Sequence, residues 1–189
     1  MGQLIMWNIV SLDGCFEGTT PWSLGWFQHR LNDAFFSFVT EQLRTADALV
    51  FGRATYEGMA AHWSTATGEV ADLMNTLPKT VFSRTLSDSS WGNTRITAED
   101  PAEAIGTLKR NVPGNIFVFG SATLSLPLFN AGLFDEIRLG LTSVIVGQGR
   151  KLFPPESAFR DLNLREARVL SPSCVVLHYT KPAAPIAAQ

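Results

Sequence analysis

The sequence predicts an α/β domain: a three-layer sandwich around a mainly parallel mixed sheet that closes with an antiparallel C-terminal strand. Three observations carry this. Short β-branched or aromatic runs alternate with helical patterns, the signature of strands joined by crossover helices. The runs at 48–51 and 116–119 are apolar throughout, as strands covered on both faces are. The last three runs, 136–146, 164–170 and 174–180, follow one another with no long helix between them, and Ser171-Pro172-Ser173 is a turn signal, so the last two form an antiparallel hairpin.

The elements follow in chain order. Residues 4–12 are the first strand. Phe35, Phe36, Phe38, Val39 and Leu43 stand at near-helical spacing and make 32–45 a helix. A strand at 48–51 leads into a helix at 55–62 and a shorter one at 70–76, and 80–82 is a strand. Asp100 is an N-cap with Pro101 at the first helical position and Glu103 in the first turn, which starts a helix over 101–111. The strand at 116–119 precedes a helix at 122–131 that Pro127 leaves short, kinked or broken. No linker, charge run or low-complexity stretch interrupts residues 1–181, which read as a single domain. Residues 182–189 read as an irregular tail.

Composition narrows the function classes. Of the 189 residues, 46% are hydrophobic and only 17% charged, which favours a buried core over disorder. Fifteen Lys and Arg against 17 Asp and Glu leave a net charge of −2, so no global field draws a nucleic-acid backbone. The longest apolar stretches fall far short of the roughly 20 residues that span a bilayer. Met1 to Met6 carry no basic n-region of a secretory signal. Cys15 and Cys174 cannot make a disulfide scaffold, and with only His29, His62 and His178 beside them a zinc cage is not expected. A cytoplasmic, metal-free protein acting on a small molecule, with no nucleic acid or membrane partner, is the expectation.

A repeated phrase is the strongest functional signal. Val50-Phe51-Gly52-Arg53-Ala54-Thr55 recurs as Val118-Phe119-Gly120-Ser121-Ala122-Thr123, with a third version in Val81-Phe82-Ser83-Arg84-Thr85-Leu86. Each is an apolar strand ending in a small residue, with hydroxyl or guanidinium groups where a helix or loop begins. In a parallel sheet such ends share one edge, where ligands bind. Glycine allows close approach, a new helix offers free N–H groups, and arginine offers a planar fork that matches phosphate. Taken singly, each phrase is also what a helix cap requires. The threefold repeat with Arg53 and Arg84 favours a site for a ligand with several phosphates, such as a dinucleotide. The usual fingerprint G-x-G-x-x-G is absent: Gly147-Gln148-Gly149 starts it, but Leu152 stands where the third glycine belongs.

These phrases, with Ser11-Leu12-Asp13-Gly14, Asp135-Glu136-Ile137-Arg138 and Gly147-Gln148-Gly149-Arg150-Lys151-Leu152-Phe153, run in one order from about residue 3 to 180. In that order the chain resembles the dihydrofolate reductase-like superfamily, in the branch related to the C-terminal reductase domain of the riboflavin-biosynthesis deaminase-reductase. The resemblance implies a dihydrofolate reductase-like sheet, NADPH as hydride donor, and a homodimer. It implies cofactor contacts from Gly52, Arg53 and Thr55, from Ser83, Arg84 and Thr85, and from Gly120, Ser121, Ala122, Thr123 and Leu124.

Candidate substrate contacts are Asp13, Trp22, Trp26 and Tyr56. Trp22, Trp26 and Phe27 either stack on a heterocycle or cap the core. Asp13 either accepts from a substrate N–H or makes an Asx-turn onto its own backbone. Glu57 satisfies its own helix as readily as a ligand. Arg150 and Lys151 are a second basic pair or surface charges. Cys15 is a small buried thiol, and His29 and His62 are structural or surface groups. Dihydrofolate reductases carry a carboxylate just after a Pro-Trp pair. Here Pro21-Trp22-Ser23-Leu24-Gly25-Trp26-Phe27-Gln28 has none, which speaks against dihydrofolate as substrate. No deaminase signature accompanies the reductase phrases. The expectation is an NADPH-dependent reductase of a small heterocyclic or carbonyl compound, such as the ribosylamino-uracil precursor of riboflavin. The alternatives are dihydrofolate reduction, which the missing carboxylate disfavours, and a non-catalytic NADPH-binding protein.

Overall fold

The computed structural model describes residues 1–28 and 30–182; His29 and residues 183–189, most of the expected tail, lie outside them. The chain opens with β1 (Gln3–Val10), β2 (Cys15–Glu17) and the single-turn α1 (Gly25–Gln28), followed by α2 (Asp33–Leu43). Next come β3 (Ala46–Gly52), α3 (Arg53–Trp63), α4 (Glu69–Thr76), β4 (Lys79–Phe82), β5 (Thr94–Thr97) and α5 (Pro101–Asn111). The remainder is β6 (Asn115–Phe119), α6 (Ala122–Asn130), β7 (Glu136–Thr142), β8 (Arg150–Lys151), β9 (Asn163–Ser171) and β10 (Cys174–Thr180).

Eight strands form one sheet in the order β5-β4-β3-β6-β1-β7-β10-β9. Every pair from β5 to β7 is parallel, and β10 lies antiparallel between β7 and β9. This is the mostly parallel mixed sheet with an antiparallel C-terminal strand that the sequence predicts. The alternation of β1 divides the interior into two cores. Ile5 and Trp7 join Phe35 and Phe38 of α2, Tyr56 of α3 and Met74 of α4 on one face. Leu4, Met6 and Val10 join Ile105 of α5 and Leu124 and Leu128 of α6 on the other. Strand periodicity therefore dictates the three layers. Each such side chain withdrawn from water is worth about 1.5–3 kcal/mol.

The helix starts are chemically distinct. Asn32 accepts from the Phe35 N–H at 2.9 Å and begins α2. Asp100 accepts from the Ala102 and Glu103 N–H groups and begins α5 as its sequence requires. The helix α6 is short and contains Pro127, yet runs unbroken to Asn130.

Several bounds differ from the sequence expectation. The first strand stops at Val10 because Ser11 to Gly14 turn, closed by a Gly14 N–H to Ser11 carbonyl bond of 2.9 Å with Gly14 at φ 81°. The strand expected over 136–146 ends at Thr142, where a loop with Gly147 at φ 73° follows. Three short strands carry too little pattern to be foreseen: β5, mostly polar, and the β2–β8 pair, where Cys15 faces Lys151. At the far edge β9 is largely solvent-exposed.

Candidate active site

The parallel order β4-β3-β6-β1 brings four carboxyl ends together on one sheet edge. From adjacent strands β3 and β6, the chain leaves toward opposite faces: α3 packs in one core and α6 in the other. A cleft opens between their starts, as at any point where connections diverge.

A groove of about 460 Å³ occupies this cleft. Gly52, Arg53, Ser83, Arg84, Thr85, Ser121, Thr123 and Leu124 line it, all expected cofactor residues. Thr55 and Gly120 instead line a neighbouring crevice, and Ala122 is buried beneath. Unlike α2 and α5, both α3 and α6 begin without a side-chain cap: Gly52 and Ser121 make no capping hydrogen bond. Their first N–H groups and the positive ends of both helix dipoles are left for a ligand. Close approach is built in. A Cβ on Gly52 would overlap Ser121 Oγ. Gly120 has φ 58°, and a Cβ there would stand 3.0 Å from Thr55 Oγ1. Ser121 itself is left-handed at φ 56°, a conformation few side chains adopt.

The charges suit an anion. Arg53 is half-exposed and held only by Glu57 at 3.4 Å. Arg84 makes no ion pair among the described residues. Glu99, also on the groove wall, is paired with Arg95 at 2.8 Å. Arg150 reaches the groove from β8: its Nη2 donates to Thr123 Oγ1 at 2.6 Å, and its Nη1 lies 3.3 Å from Glu17 Oε1.

Across the sheet edge lies an apolar cavity of about 420 Å³, with Trp22, Phe27, Phe35, Met59 and Trp63 in its wall. A narrow crevice of about 80 Å³ shares Trp7, Ile9, Trp22, Phe27 and Phe119 with it, and adds Asn8, Phe16, Thr55 and Gly120. Gly120 lines the crevice and its neighbour Ser121 the groove, so the three spaces meet at the end of β6.

The substrate candidates separate. Trp22 lines both cavity and crevice. It is held in a left-handed conformation, φ 63°, by a 2.9 Å bond from its N–H to the buried Glu17 Oε2, and its indole covers Gly58. Trp26 packs edge-on against Phe27 and lines none of these spaces. Tyr56 is buried in the core, where its hydroxyl accepts from the Trp91 N–H. Asp13 makes no Asx-turn onto its own backbone; its carboxylate instead ties the first turn to the loop after β7 and to β8. It accepts from Ser11 Oγ, from the Val146 and Gly147 N–H groups and from Lys151 Nζ. The Ser11 hydroxyl first, then these amides and the lysine, hold its carboxyl well below the usual carboxylate range. Cys15 is fully buried beside it. His62, expected to be structural or superficial, lines the apolar cavity. Sequence reasoning missed Trp7 and Asn8, which sit inside an apolar strand run. The signal was a lone Asn two residues from a strand's carboxyl end.

Residues 3–177 match the model of the RibD C-terminal domain. The chain belongs to the RibD C-terminal domain family. Among curated relatives of this family member, the uncharacterized protein YyaP of Bacillus subtilis (strain 168) is 28% identical over 183 residues, covering 94% of each chain. Among solved structures, a candidate riboflavin biosynthesis protein from Shewanella sp. PV-4 superposes with a TM-score of 0.73 at 18% identity, covering 96% of this chain and 99% of that one. Dihydrofolate reductase from Enterococcus faecalis, solved with NADP(H), superposes with a TM-score of 0.64 at 14% identity, covering 96% and 97%. The dihydrofolate reductase-like fold is thereby shown.

Proposed function

We propose that the chain is an NADPH-dependent reductase of a small heterocyclic or carbonyl compound. The observation that carries this is the placing of the aromatic cavity and the arginine-lined groove on consecutive residues at the end of β6, Phe119 lining the one and Ser121 the other, with Gly120 in the crevice between. NADPH fits the donor set: the uncapped starts of α3 and α6 suit a pyrophosphate, and Arg53 and Arg84 suit a 2′-phosphate. Membership of the RibD C-terminal domain family and the likeness to a reductase solved with NADP(H) support the same choice. When bound, the cofactor supplies a hydride, taken up by a substrate carbon.

The chain's own residues do the rest. Gly52 and Gly120 keep the groove floor bare, so that backbone meets ligand. Trp22, Phe27 and Phe35 exclude water from the substrate side, where Glu17 anchors the Trp22 loop. Asp13, held ionised, has no proton to give. None of the described residues lining the cavity is a carboxylic acid, so the proton that balances the hydride comes from solvent water or from His62. This lining also disfavours dihydrofolate, and it is the observation that keeps a non-catalytic NADPH-binding protein as a second reading.

Titration with NADPH and NADH, followed by NADPH oxidation with dihydrofolate, the ribosylamino-uracil precursor and simple quinones, tests the proposal. NADPH should bind at least tenfold more tightly than NADH, about 1.4 kcal/mol, which one charged contact can supply. Absence of NADPH binding at millimolar cofactor overturns the reading. Tight binding with no oxidation of any substrate selects the non-catalytic one.

A further inference from the structure

We propose that the apolar cavity takes a neutral, planar carbonyl compound, and that the Trp7 indole N–H donates to its carbonyl oxygen. This rests on the reductase reading and narrows its substrate class.

Two buried N–H donors on β1 have no acceptor among the described residues: Trp7 Nε1 and Asn8 Nδ2. Both residues are more than nine-tenths buried, at 7% and 4% exposure. Buried donors left unpaired are rare, because they lose water without gaining a partner. Trp26 Nε1 is buried and unpaired among the described residues as well, but it borders neither groove, crevice nor cavity. Trp7 and Asn8 stand in succession at a strand end that borders the crevice, where a ligand can complete them. Both residues line the crevice, and Trp7 also lines the apolar cavity.

Consecutive strand residues face opposite sides of a sheet. Trp7 lies with Ile5 and Ile9 toward α2, α3 and α4, the side of the apolar cavity. Asn8 alternates with Met6 and Val10 toward α5 and α6, whose starts border the groove. Asn8 lines the crevice but not the cavity, so Trp7 is the donor on the cavity side. An indole N–H only donates, so its partner is an acceptor such as a carbonyl oxygen. A planar ring finds aromatic faces and edges to pack against there: Phe35 and Phe119 lie tilted on Trp7, with ring centroids 6.0 and 5.4 Å away. Neutrality follows from the absence of Lys, Arg, Asp and Glu among the described lining residues, with His62 the one titratable side chain. A phosphate there would lose its hydration against no counter-ion. A substrate's phosphate would therefore have to lie outside this cavity.

The test uses the full chain with 15N-labelled tryptophan and three probes of matched ring size: 2-methyl-1,4-naphthoquinone, 2-methylnaphthalene and 1-naphthyl phosphate. The quinone should bind at least tenfold more tightly than either other probe. One indole N–H resonance, missing in Trp7→Phe, should move downfield with the quinone alone, and Trp7→Phe should abolish the preference. Equal affinity of quinone and hydrocarbon in the unmodified protein overturns the proposal without needing the variant to fold. So does a preference that survives in Trp7→Phe, or phosphate binding as tight as the quinone's. NADPH is titrated separately. If it fails to bind while the quinone moves the Trp7 resonance, the reductase reading falls and the carbonyl site stands.

Discussion

The close contact between the starts of α3 and α6 can be probed by replacing Gly52 with Ala. The new Cβ would overlap Ser121 Oγ and lie 3.2 Å from Ser121 Cβ and 3.7 Å from Leu124 Cβ. The backbone at Gly52, φ −85° and ψ 163°, accepts alanine, so the effect is purely one of space. Overpacking of this kind costs about 1–3 kcal/mol. In a chain of 189 residues each kcal/mol moves the melting temperature by roughly 2–4 °C, so Gly52→Ala should lower it by about 2–12 °C. Ser121→Gly removes the atoms that collide and relieves a left-handed serine at φ 56°, a gain of about 1 kcal/mol. The double variant should regain the stability of Ser121→Gly alone, which makes the coupling between the two sites about 1–3 kcal/mol. Urea and thermal unfolding of the four proteins give that coupling directly. Additive effects, or a Gly52→Ala protein as stable as the unmodified one, would refute the claim that the two turns touch here. NADPH affinity, measured on the same four proteins, should fall with Gly52→Ala, which inserts a methyl between the two helix starts.

Four further outcomes follow from other contacts. Arg53→Ala should weaken NADPH at least tenfold and NADH much less, with the ligand-free melting curve nearly unchanged, because its one ion pair is long and exposed. Glu17→Ala should cost about 2 kcal/mol, some 4–8 °C in melting temperature, by stripping the Trp22 N–H of a buried carboxylate, and should loosen binding in the apolar cavity. Burial pushes the Lys79 ammonium down to about 8 from its ordinary 10.5. Between those values the unfolded chain holds the proton more tightly. Stability relative to Lys79→Met should therefore rise from pH 8 to 10.5 by at most about 3 kcal/mol, measured by urea unfolding; a fall over that window would contradict it. The exposed edge strand β9, with Leu164 and Val169 at 54% and 75% exposure, favours pairing of two copies. Light scattering should give twice 20.7 kDa, and a mass near 20.7 kDa would reject the dimer.

Much of the fold was written in local patterns. The apolar runs at β3 and β6 announced covered strands, and Asp100-Pro101 announced α5, because caps and periodicity act over a few residues. The groove was legible for a related reason: its residues sit at three strand ends with similar wording, and topology alone gathers them. What escaped depends on distant partners. Asp13 looked free to meet a substrate, but its acceptors are consumed by Val146, Gly147 and Lys151, more than 130 residues away in sequence. Tyr56 looked close to the Arg53 turn, yet helical rotation sends it inward against Trp91. β5 and β8 are too short to show a period. Trp7 and Asn8 were hidden by their apolar neighbours, since an unmet hydrogen bond is visible only in three dimensions.

The sheet order also has a consequence for how the chain is made. Of the described strands β1 is synthesised first, and it lies in the middle of the sheet, with Gln3 opposite Asn115 and Ile5 opposite Glu136. Both its neighbours emerge more than a hundred residues later, roughly 5–25 s at ordinary elongation rates of about 5–20 residues per second. Until then Leu-Ile-Met-Trp travels as an uncovered apolar edge, exposed to chaperones and to other nascent chains. A stalled product ending before Glu136 lacks both β7 and β10, so slow codons placed before β6 should lower soluble yield, and slow codons after β7 should not.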